Sequence, residues 1–226
     1  MQFILIYYLK NKIYPALINS TGEITMAHVL VINTSLSGDK GQSTQLSQQF
    51  LASLPAGFST ETVDLVQDSY PHLTMTEIGA WMTPESDRTD EQKALAALSD
   101  DAIAQIKKAD AIVIGVPMYN FGVPSQLKAY FDRLARAGIT FKYTETGPVG
   151  LLQDKPVFLF ATRGGLYQGT PMDSQTPFVS ALLNFIGLKD LNFIYAEGLN
   201  MGPESAEKAL TAAKARIAEL APAVAA

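Results

Sequence analysis

Short apolar runs alternate regularly with segments of helical periodicity from Met26 onward, and this alternation restricts the possible folds more strongly than any other feature of the sequence. We predict five buried strands, at His28–Asn33, Thr60–Leu65, Ala111–Val116, Pro156–Ala161 and Asn192–Glu197. Strands that are each followed by a helix form parallel sheets with helices on both faces. The alternation therefore predicts an α/β protein.

The segments between these runs carry apolar residues at the spacing of one helical face. The predicted helices are Ser43–Leu54, Thr89–Ala109, Ser125–Ala137, Thr176–Ile186 and Pro203–Leu220. Thr89 and Gln92 have the spacing of a capping box at the start of the second helix. The segment from Val66 to Pro84, which contains Trp81, is expected to be irregular. Five strands in this arrangement fit the flavodoxin-like, doubly wound parallel sheet.

Residues 1–25 precede a second methionine and are expected to be an extension outside the fold, which leaves residues 26–226 as one domain. An extra edge strand from Gln2 to Tyr8 is the alternative. The apolar run from Phe3 to Leu9 is too short to cross a bilayer. It also lacks the basic start and the small-residue cleavage site of a signal peptide. We expect a soluble, cytoplasmic protein that does not bind membranes.

The composition limits the chemistry that the chain can perform. The formal net charge is −5, which disfavours nucleic acid as a partner because nucleic acid is bound by neutralising its phosphates. The absence of cysteine excludes disulfides, cysteine nucleophiles and thiolate metal sites. The two histidines, His28 and His72, do not have a metal-binding spacing. We therefore expect no metal and no catalytic side chain, and a reactive group supplied by a cofactor.

Three segments follow the first, third and fourth predicted strands, at the edge where doubly wound sheets bind ligands. Residues 33–44 carry hydroxyl side chains and two glycines ahead of a helix, a composition that suits a phosphate. An ordinary turn capped by Ser43 is the alternative. Residues 117–125 carry two aromatic side chains and an asparagine, which suit a flat aromatic ligand. Residues 162–165 end in paired glycines, whose backbone can approach a ligand closely.

The sequence MYNFGVPSQLKAYFDRLARAGITFKYTETGPVGL, followed by FLFATRGG, resembles the FMN-dependent NADH-azoreductase family of flavodoxin-like quinone reductases. The resemblance extends from Met26 to the last predicted helix. It implies a homodimer with tightly but non-covalently bound FMN in an active site at the subunit interface. It also implies an enzyme that reduces small-molecule quinones and aromatic azo compounds with NADH, by ping-pong hydride transfer through flavin N5.

The resemblance also implies roles for particular residues. Those matching the FMN-binding positions are Ser35, Gly41, Gln42 and Ser43 at the phosphate, Met118, Tyr119, Asn120 and Phe121 at the flavin edge, and Thr162, Arg163, Gly164 and Gly165 beside the pyrimidine ring. Tyr143 and Phe185 match aromatic positions of the substrate pocket, and the resemblance places Tyr143 across the dimer interface. Gly41 stands where a serine is common, and Tyr167 where some members have a histidine, so no role is assigned to Tyr167.

Two other functions are compatible with the same residues. A flavodoxin-type FMN electron carrier would have no substrate of its own, although the aromatic side chains of residues 138–152 favour a covered pocket. A flavin-free enzyme would use the first loop to bind a phosphorylated metabolite. The sequence leaves the choice between NADH and NADPH open because no arginine cluster marks a site for the extra phosphate.

Overall fold

The computed structural model describes residues 27–54 and 58–220. Its strands are β1 (Ala27–Asn33), β2 (Phe58–Asp64), β3 (Ala111–Pro117), β4 (Phe141–Thr144), β5 (Gly147–Gly150), β6 (Val157–Thr162) and β7 (Leu191–Ala196). Its α-helices are α1 (Gln42–Ala52), α2 (Met75–Met82), α3 (Asp90–Lys108), α4 (Ser125–Leu134), α5 (Gln175–Ile186) and α6 (Pro203–Leu220). Short 3₁₀ helices cover Gly38–Lys40 and Glu85–Asp87.

Five strands form a parallel sheet in the order β2-β1-β3-β6-β7. This is the order of the flavodoxin-like fold, in which the chain reverses direction across the sheet after β2. The fold class is therefore confirmed. The five predicted strands all occur, and their ends lie within two residues of the predicted ones.

The hydrophobic core has one layer on each face of the sheet. Along β1, Leu30 and Ile32 belong to one layer, whereas Val29 and Val31 belong to the other. Helices α3, α4 and α5 cover the first layer, and helices α1 and α6 cover the second. Alternate side chains of a strand point to opposite faces, so a strand covered on both faces must be apolar throughout. This explains the unbroken apolar runs in the sequence.

Two elements differ from the sequence-based expectation. The segment expected to be irregular contains helix α2, which begins where the Thr74 side chain accepts a hydrogen bond from Glu77 N. Residues 138–152, expected only to cover a pocket, contain the antiparallel hairpin β4–β5. The predicted capping box of Thr89 and Gln92 is present at the start of α3. The helix predicted to begin at Ser43 begins one residue earlier, at Gln42, and Gly41 is its N-cap residue.

The expectations for residues 1–25 lie outside the described residues, and the proposed domain boundary at residue 26 stays a prediction. Within the part of the chain that the structure describes, no helix is long and apolar enough to cross a membrane. His28 contacts Ser59 and Glu61 at the edge of the sheet, and His72 is exposed.

Candidate functional site at the carboxyl edge of the sheet

A cavity of about 390 Å³ lies at the carboxyl edge of the sheet, between the segments that follow β1, β3 and β6. Eight of the predicted site residues line it: Ser35, Gly41, Gln42, Met118, Tyr119, Thr162, Arg163 and Gly164. The three loops singled out in the sequence therefore meet at one site. They meet because the strands are parallel neighbours in the sheet, so that their ends share one edge.

The first loop ends in a helix N-terminus that has no side-chain cap. Gly41 is the N-cap residue, and among the described residues no side chain accepts a hydrogen bond from the first turn of α1. Ser43 is the second helical residue, so the alternative of an ordinary turn capped by Ser43 is wrong. The first N–H groups of a helix have no partner within the helix, and together with the helix dipole they favour an anion.

The Ser43 hydroxyl is buried and has no hydrogen-bond partner among the described residues. It lies against β3, where a side chain at Gly115 would come within 3.3 Å of Ser43 Oγ. A buried hydroxyl without a partner costs free energy, and ligand sites are among the places where such a group is found. Ser43 does not itself line the cavity, but it directly follows Gln42, which does, in the first turn of α1.

The charges around the first loop favour an anion. Lys40 lines the cavity, whereas Asp39 does not. Asp39 Oδ1 accepts a hydrogen bond from the Gln48 side chain at 3.3 Å. The carboxylate next to the predicted phosphate site is therefore engaged with α1.

The second loop contains a tight turn in a strained conformation. Tyr119 and Gly122 exchange two backbone hydrogen bonds of 3.1 and 3.0 Å across Asn120 and Phe121. Asn120 has φ 49° and Phe121 has φ 65°, the left-handed region that residues other than glycine seldom adopt. Positive φ at both central residues is the pattern of a type I′ turn. Strain of this kind persists where the surroundings hold it, and it is often found at binding sites.

Contacts from three directions hold this turn in place. The Tyr119 hydroxyl accepts a hydrogen bond of 3.1 Å from Leu36 N in the first loop. The Ser174 hydroxyl donates to the Phe121 carbonyl. The Phe121 ring lies edge-on to the Tyr167 ring, with 5.7 Å between their centroids. Asn120 and Phe121 are exposed beside the cavity and do not line it.

The third loop offers backbone N–H groups. The carbonyls of Gly164 and Gly165 accept hydrogen bonds from Asn200 N and Gly198 N. In the part of the chain that the structure describes, no group accepts a hydrogen bond from Gly164 N or Gly165 N. A side chain at Gly165 would lie 2.7 Å from the Tyr167 hydroxyl. Gly165 does not line the cavity, and the space beside its Cα is filled by the Tyr167 side chain.

Arg163 lines the cavity, but its guanidinium is used inside the protein. It donates to Gln175 Oε1, Glu197 Oε1 and Asp173 Oδ1 at 3.1, 3.0 and 2.9 Å. A further hydrogen bond of 2.8 Å reaches Thr176 Oγ1. Burial tends to raise the pKa of Asp173, but the hydrogen bonds from Thr176 and Arg163 outweigh it and hold that pKa below its ordinary value. The Arg163 side chain therefore positions the loop rather than offering a charge to a ligand.

The two predicted substrate-pocket residues lie apart from the cavity. Tyr143 is on the β4–β5 hairpin with 75% of its surface exposed, and Phe185 is in α5. Phe141 packs between them, with ring centroids 5.5 Å from Tyr143 and 4.2 Å from Phe185. The structure thus gathers these aromatic rings around the hairpin, outside the residues that line the cavity.

Other residues line the cavity that the sequence analysis did not select. They are Ser37, Lys40, Pro117, Leu199, Asn200, Ala206 and Leu210. Lys40 lies within the hydroxyl-rich loop that was selected as a whole. Leu199 and Asn200 follow β7, which is the neighbour of β6 in the sheet. The rule that ligands bind at the carboxyl edge applies to this strand too, and it could have identified them.

The chain matches the model of a family described as having a flavodoxin-like fold over residues 27–221. An FMN-dependent NADH:quinone oxidoreductase of Alteromonas mediterranea is 53% identical over 197 residues, which cover 86% of this chain and 98% of that protein. A protein of the same name from Cellvibrio japonicus is 53% identical over 195 residues, covering 85% of this chain and 97% of that protein.

Solved structures resemble the chain over the same region. An azoreductase from Bacillus anthracis is 31% identical with a TM-score of 0.79, covering 86% of this chain and 98% of that one. A second structure, of an FMN-dependent NADH-azoreductase from Bacillus anthracis in complex with FMN, is 28% identical with a TM-score of 0.76. It covers 87% of this chain and 100% of that one.

Proposed function

Because the chain belongs to the flavodoxin-like family of FMN-dependent NADH:quinone oxidoreductases, we propose that it binds FMN and reduces quinones and aromatic azo compounds with electrons from NADH. The observation that carries the proposal is the cavity at the carboxyl edge of the sheet, which is lined by Gly41 and Gln42 at the uncapped start of α1 and by Gly164, whose N–H has no acceptor among the described residues. Such sites bind a ligand that has a phosphate at one end and a polar ring at the other.

The residues present fit FMN. The Ser43 hydroxyl is buried without a partner, and a phosphate oxygen is the kind of acceptor that it lacks. The uncapped first turn of α1 and the Lys40 side chain favour the charge of a phosphate. Because Gly164 has no side chain, its backbone is open to a ligand. A side chain at this position would lie 2.6 Å from the Asn200 amide nitrogen. We infer that the first loop holds the phosphate and that the other two loops hold the ring.

Bound FMN would supply the redox chemistry, because it accepts two electrons from a nicotinamide and passes them to an acceptor. The chain's own residues would bind, orient and protect that group. Tyr119 and Met118 would form an apolar wall, and the unpaired N–H of Gly164, which lines the cavity, would stabilise negative charge on the ring. We propose that donor and acceptor occupy the same cavity in turn, which is the physical basis of a ping-pong order.

We propose that the active unit is a homodimer with the cavity at the subunit interface. Large apolar side chains are exposed on the loops around the cavity, among them Leu36, Phe121 and Leu166, and Tyr143 is exposed on the β4–β5 hairpin. Exposed apolar patches of this kind mark interaction surfaces, and a twofold dimer covers the same patch on both subunits. A partner's hairpin could then bring its Tyr143 to the cavity, as the resemblance implies. We also propose a cytoplasmic location, where NADH is available as a donor.

The dimer can be tested by placing a charge in this surface. Leu166→Asp is expected to weaken self-association by roughly tenfold or more, because the new carboxylate would be buried without a partner. Met82→Asp, on helix α2 outside these loops, is the control and should leave association unchanged. Sedimentation equilibrium measures both. A wild-type chain that stays monomeric at micromolar concentration would rule out the shared site.

Ser43→Ala is expected to weaken FMN binding. Loss of a hydrogen bond to a charged phosphate costs about 1.5–3 kcal/mol, which corresponds to a roughly ten- to hundredfold higher Kd. The hydroxyl has no partner in the free protein, so its removal should not lower the stability of the apoprotein. Quenching of flavin fluorescence gives the Kd, and turnover should return when excess FMN is supplied.

The control for this variant is Ser47→Ala, one turn further along α1. The Ser47 hydroxyl donates to the Ser43 carbonyl at 2.8 Å, so it has its partner within the helix. Its removal should affect stability slightly and leave the Kd for FMN unchanged. If Ser43→Ala binds FMN as tightly as the wild type, the hydroxyl does not contact the phosphate.

The assay that tests the function is NADH oxidation by the purified, yellow, FMN-loaded protein with a quinone as the sole acceptor. Steady turnover that requires both FMN and quinone is the expected result. A protein that binds FMN but shows no turnover without a second protein would be an electron carrier. A colourless protein that gains no absorbance on addition of FMN would favour the flavin-free enzyme.

A further inference from the structure

The ion-pair network on Arg163 carries one more negative charge than positive charge. Asp173 and Glu197 both pair with this one guanidinium, at 2.9 and 3.0 Å. The Arg163 side chain is fully buried, and the two carboxylates are almost so, with 7% and 12% of their side chains exposed. No other cation among the described residues is paired with either carboxylate. One guanidinium against two carboxylates leaves one net negative charge.

The network lies directly behind the third loop of the cavity. Arg163 is a cavity-lining residue and immediately precedes Gly164. Glu197 Oε1 accepts hydrogen bonds of 2.9 Å from both Tyr167 N and Gln168 N. Glu197 therefore holds the third loop directly, and Asp173 holds it through Arg163.

The remaining groups that face the network are neutral. Gln175 joins Arg163 to the end of β3, where its amide donates to the Val116 and Pro117 carbonyls. The Tyr195 ring lies under the guanidinium, 5.1 Å from it, and its hydroxyl contacts Thr176 Oγ1. Burial raises the pKa of Tyr195, so this phenol carries no charge at neutral pH. None of these groups offsets the excess carboxylate.

We propose that Glu197 and Asp173, held on Arg163, lower the reduction potential of the bound FMN. This inference rests on the proposed function. Reduction by NADH transfers two electrons and one proton to the ring, releases NAD⁺ and adds one negative charge beside the third loop. A fixed net negative charge in a buried, poorly screened position opposes that added charge. The free N–H group of Gly164, which lines the cavity, acts in the opposite direction, so the network and the loop together set the reduction potential.

The lower potential has a chemical consequence for the acceptor. A ring that holds its electrons less tightly gives them more readily to a weak oxidant. Aromatic azo compounds are weaker oxidants than quinones, so the network would favour the reduction of azo compounds. The two carboxylates act as positioning and charge-setting residues and do not touch the substrate.

The experiment measures the midpoint potential of FMN bound to the full-length protein, by anaerobic equilibration with a reference dye. Glu197→Gln removes the charge but retains an oxygen that can accept from Tyr167 N, Gln168 N and Arg163. We expect this variant to raise the ratio of the affinity for reduced FMN to the affinity for oxidised FMN by roughly tenfold. For a two-electron couple, this change raises the midpoint potential by about 30 mV. Asp173→Asn should move the ratio in the same direction.

Two controls separate charge from structure. Glu219→Gln removes an exposed carboxylate paired with Arg216 on α6 and should leave the ratio within twofold of the wild type. Arg163→Lys preserves the net charge, so the potential should stay near that of the wild type even if oxidised FMN binds more weakly. If either carboxylate variant does not fold, the other one carries the same test.

The outcomes are distinct. A wild-type protein that does not bind FMN contradicts the proposed function itself. FMN that binds normally, with a ratio unchanged within twofold in both carboxylate variants, overturns only the inference about the network. A shift of equal size in Glu219→Gln would also overturn it, because the effect would then be that of total charge and not of this network.

Discussion

Gly150→Ala is expected to lower the free energy of unfolding by about 4 kcal/mol or more, the range of the most damaging single substitutions. Gly150 ends strand β5, and its backbone passes directly over the C-terminus of helix α5. An added Cβ would overlap Gly187 N and Cα and would lie 2.6 Å from the Ile186 carbonyl carbon. All of these are backbone atoms, so no side-chain rotation can relieve the contact. The β4–β5 hairpin would have to move away from the sheet.

The neighbouring backbone cannot adjust easily. Gly187 caps the helix with φ 112°, and Leu152 N donates to the Ile186 carbonyl at 3.0 Å. Denaturant unfolding followed by circular dichroism measures the change. Gly79→Ala is the control, because no atom lies within 4 Å of its added Cβ and Gly79 is inside α2. That variant should be more stable by about 0.5–1 kcal/mol. A Gly150→Ala protein with an unchanged unfolding midpoint would contradict the contact.

Glu77→Ala is expected to cost about 3–5 kcal/mol, because it leaves the Arg133 charge buried without its partner. Arg133 Nη2 and Glu77 Oε2 are 2.7 Å apart, and their side chains are 0% and 2% exposed. The carbonyls of Pro71 and Ala129 accept hydrogen bonds from the same guanidinium, but they carry no full charge. This pair joins helix α2 to helix α4, so α2 should detach when the pair is broken.

Two variants test the cause of this loss. Asp132→Ala breaks the more exposed pair with Lys128 on the same helix α4 and should cost less than about 1 kcal/mol. Replacing both partners, as in Glu77→Leu with Arg133→Met, should restore much of the stability, because a well-packed apolar pair has no buried charge. If the free energy of unfolding of Glu77→Ala is within about 1 kcal/mol of that of the wild type, water must reach the Arg133 guanidinium in the folded protein.

Much of the fold could be predicted because it follows from local periodicity. The runs at β1 and β3 are apolar at every position, which is typical of strands that are covered on both faces. The capping box at Thr89 is a pattern of four residues and needs no tertiary contact. The short helix α2 was missed, although Thr74 and Glu77 have the spacing of a capping box. The burial of Glu77 against Arg133, 56 residues away, could not be predicted from local pattern.

The candidate site divides in the same way. The segments that follow the strands could be identified, because the edge at which parallel strands end is a consequence of their order. The contacts that each side chain makes in the folded protein could not be identified from the sequence. Arginine is a residue type that often binds ligands, but the N–H groups of Arg163 donate to Asp173 and Glu197, which lie 10 and 34 residues away. Tyr143 lies on a hairpin whose packing depends on Gly187, far along the chain.

The sequence by itself determined the five strands of the parallel sheet, five of the six helices described, the edge at which the three loops meet and, through resemblance, the family. Only the tertiary structure decided that Ser43 is a buried, unpartnered hydroxyl, that Asn120 and Phe121 are held in a strained turn, and that Arg163 binds inward. The reason is physical. Strand and helix periodicity repeats over a few neighbouring residues, whereas burial and hydrogen-bond pairing depend on residues that become neighbours only when the chain has folded.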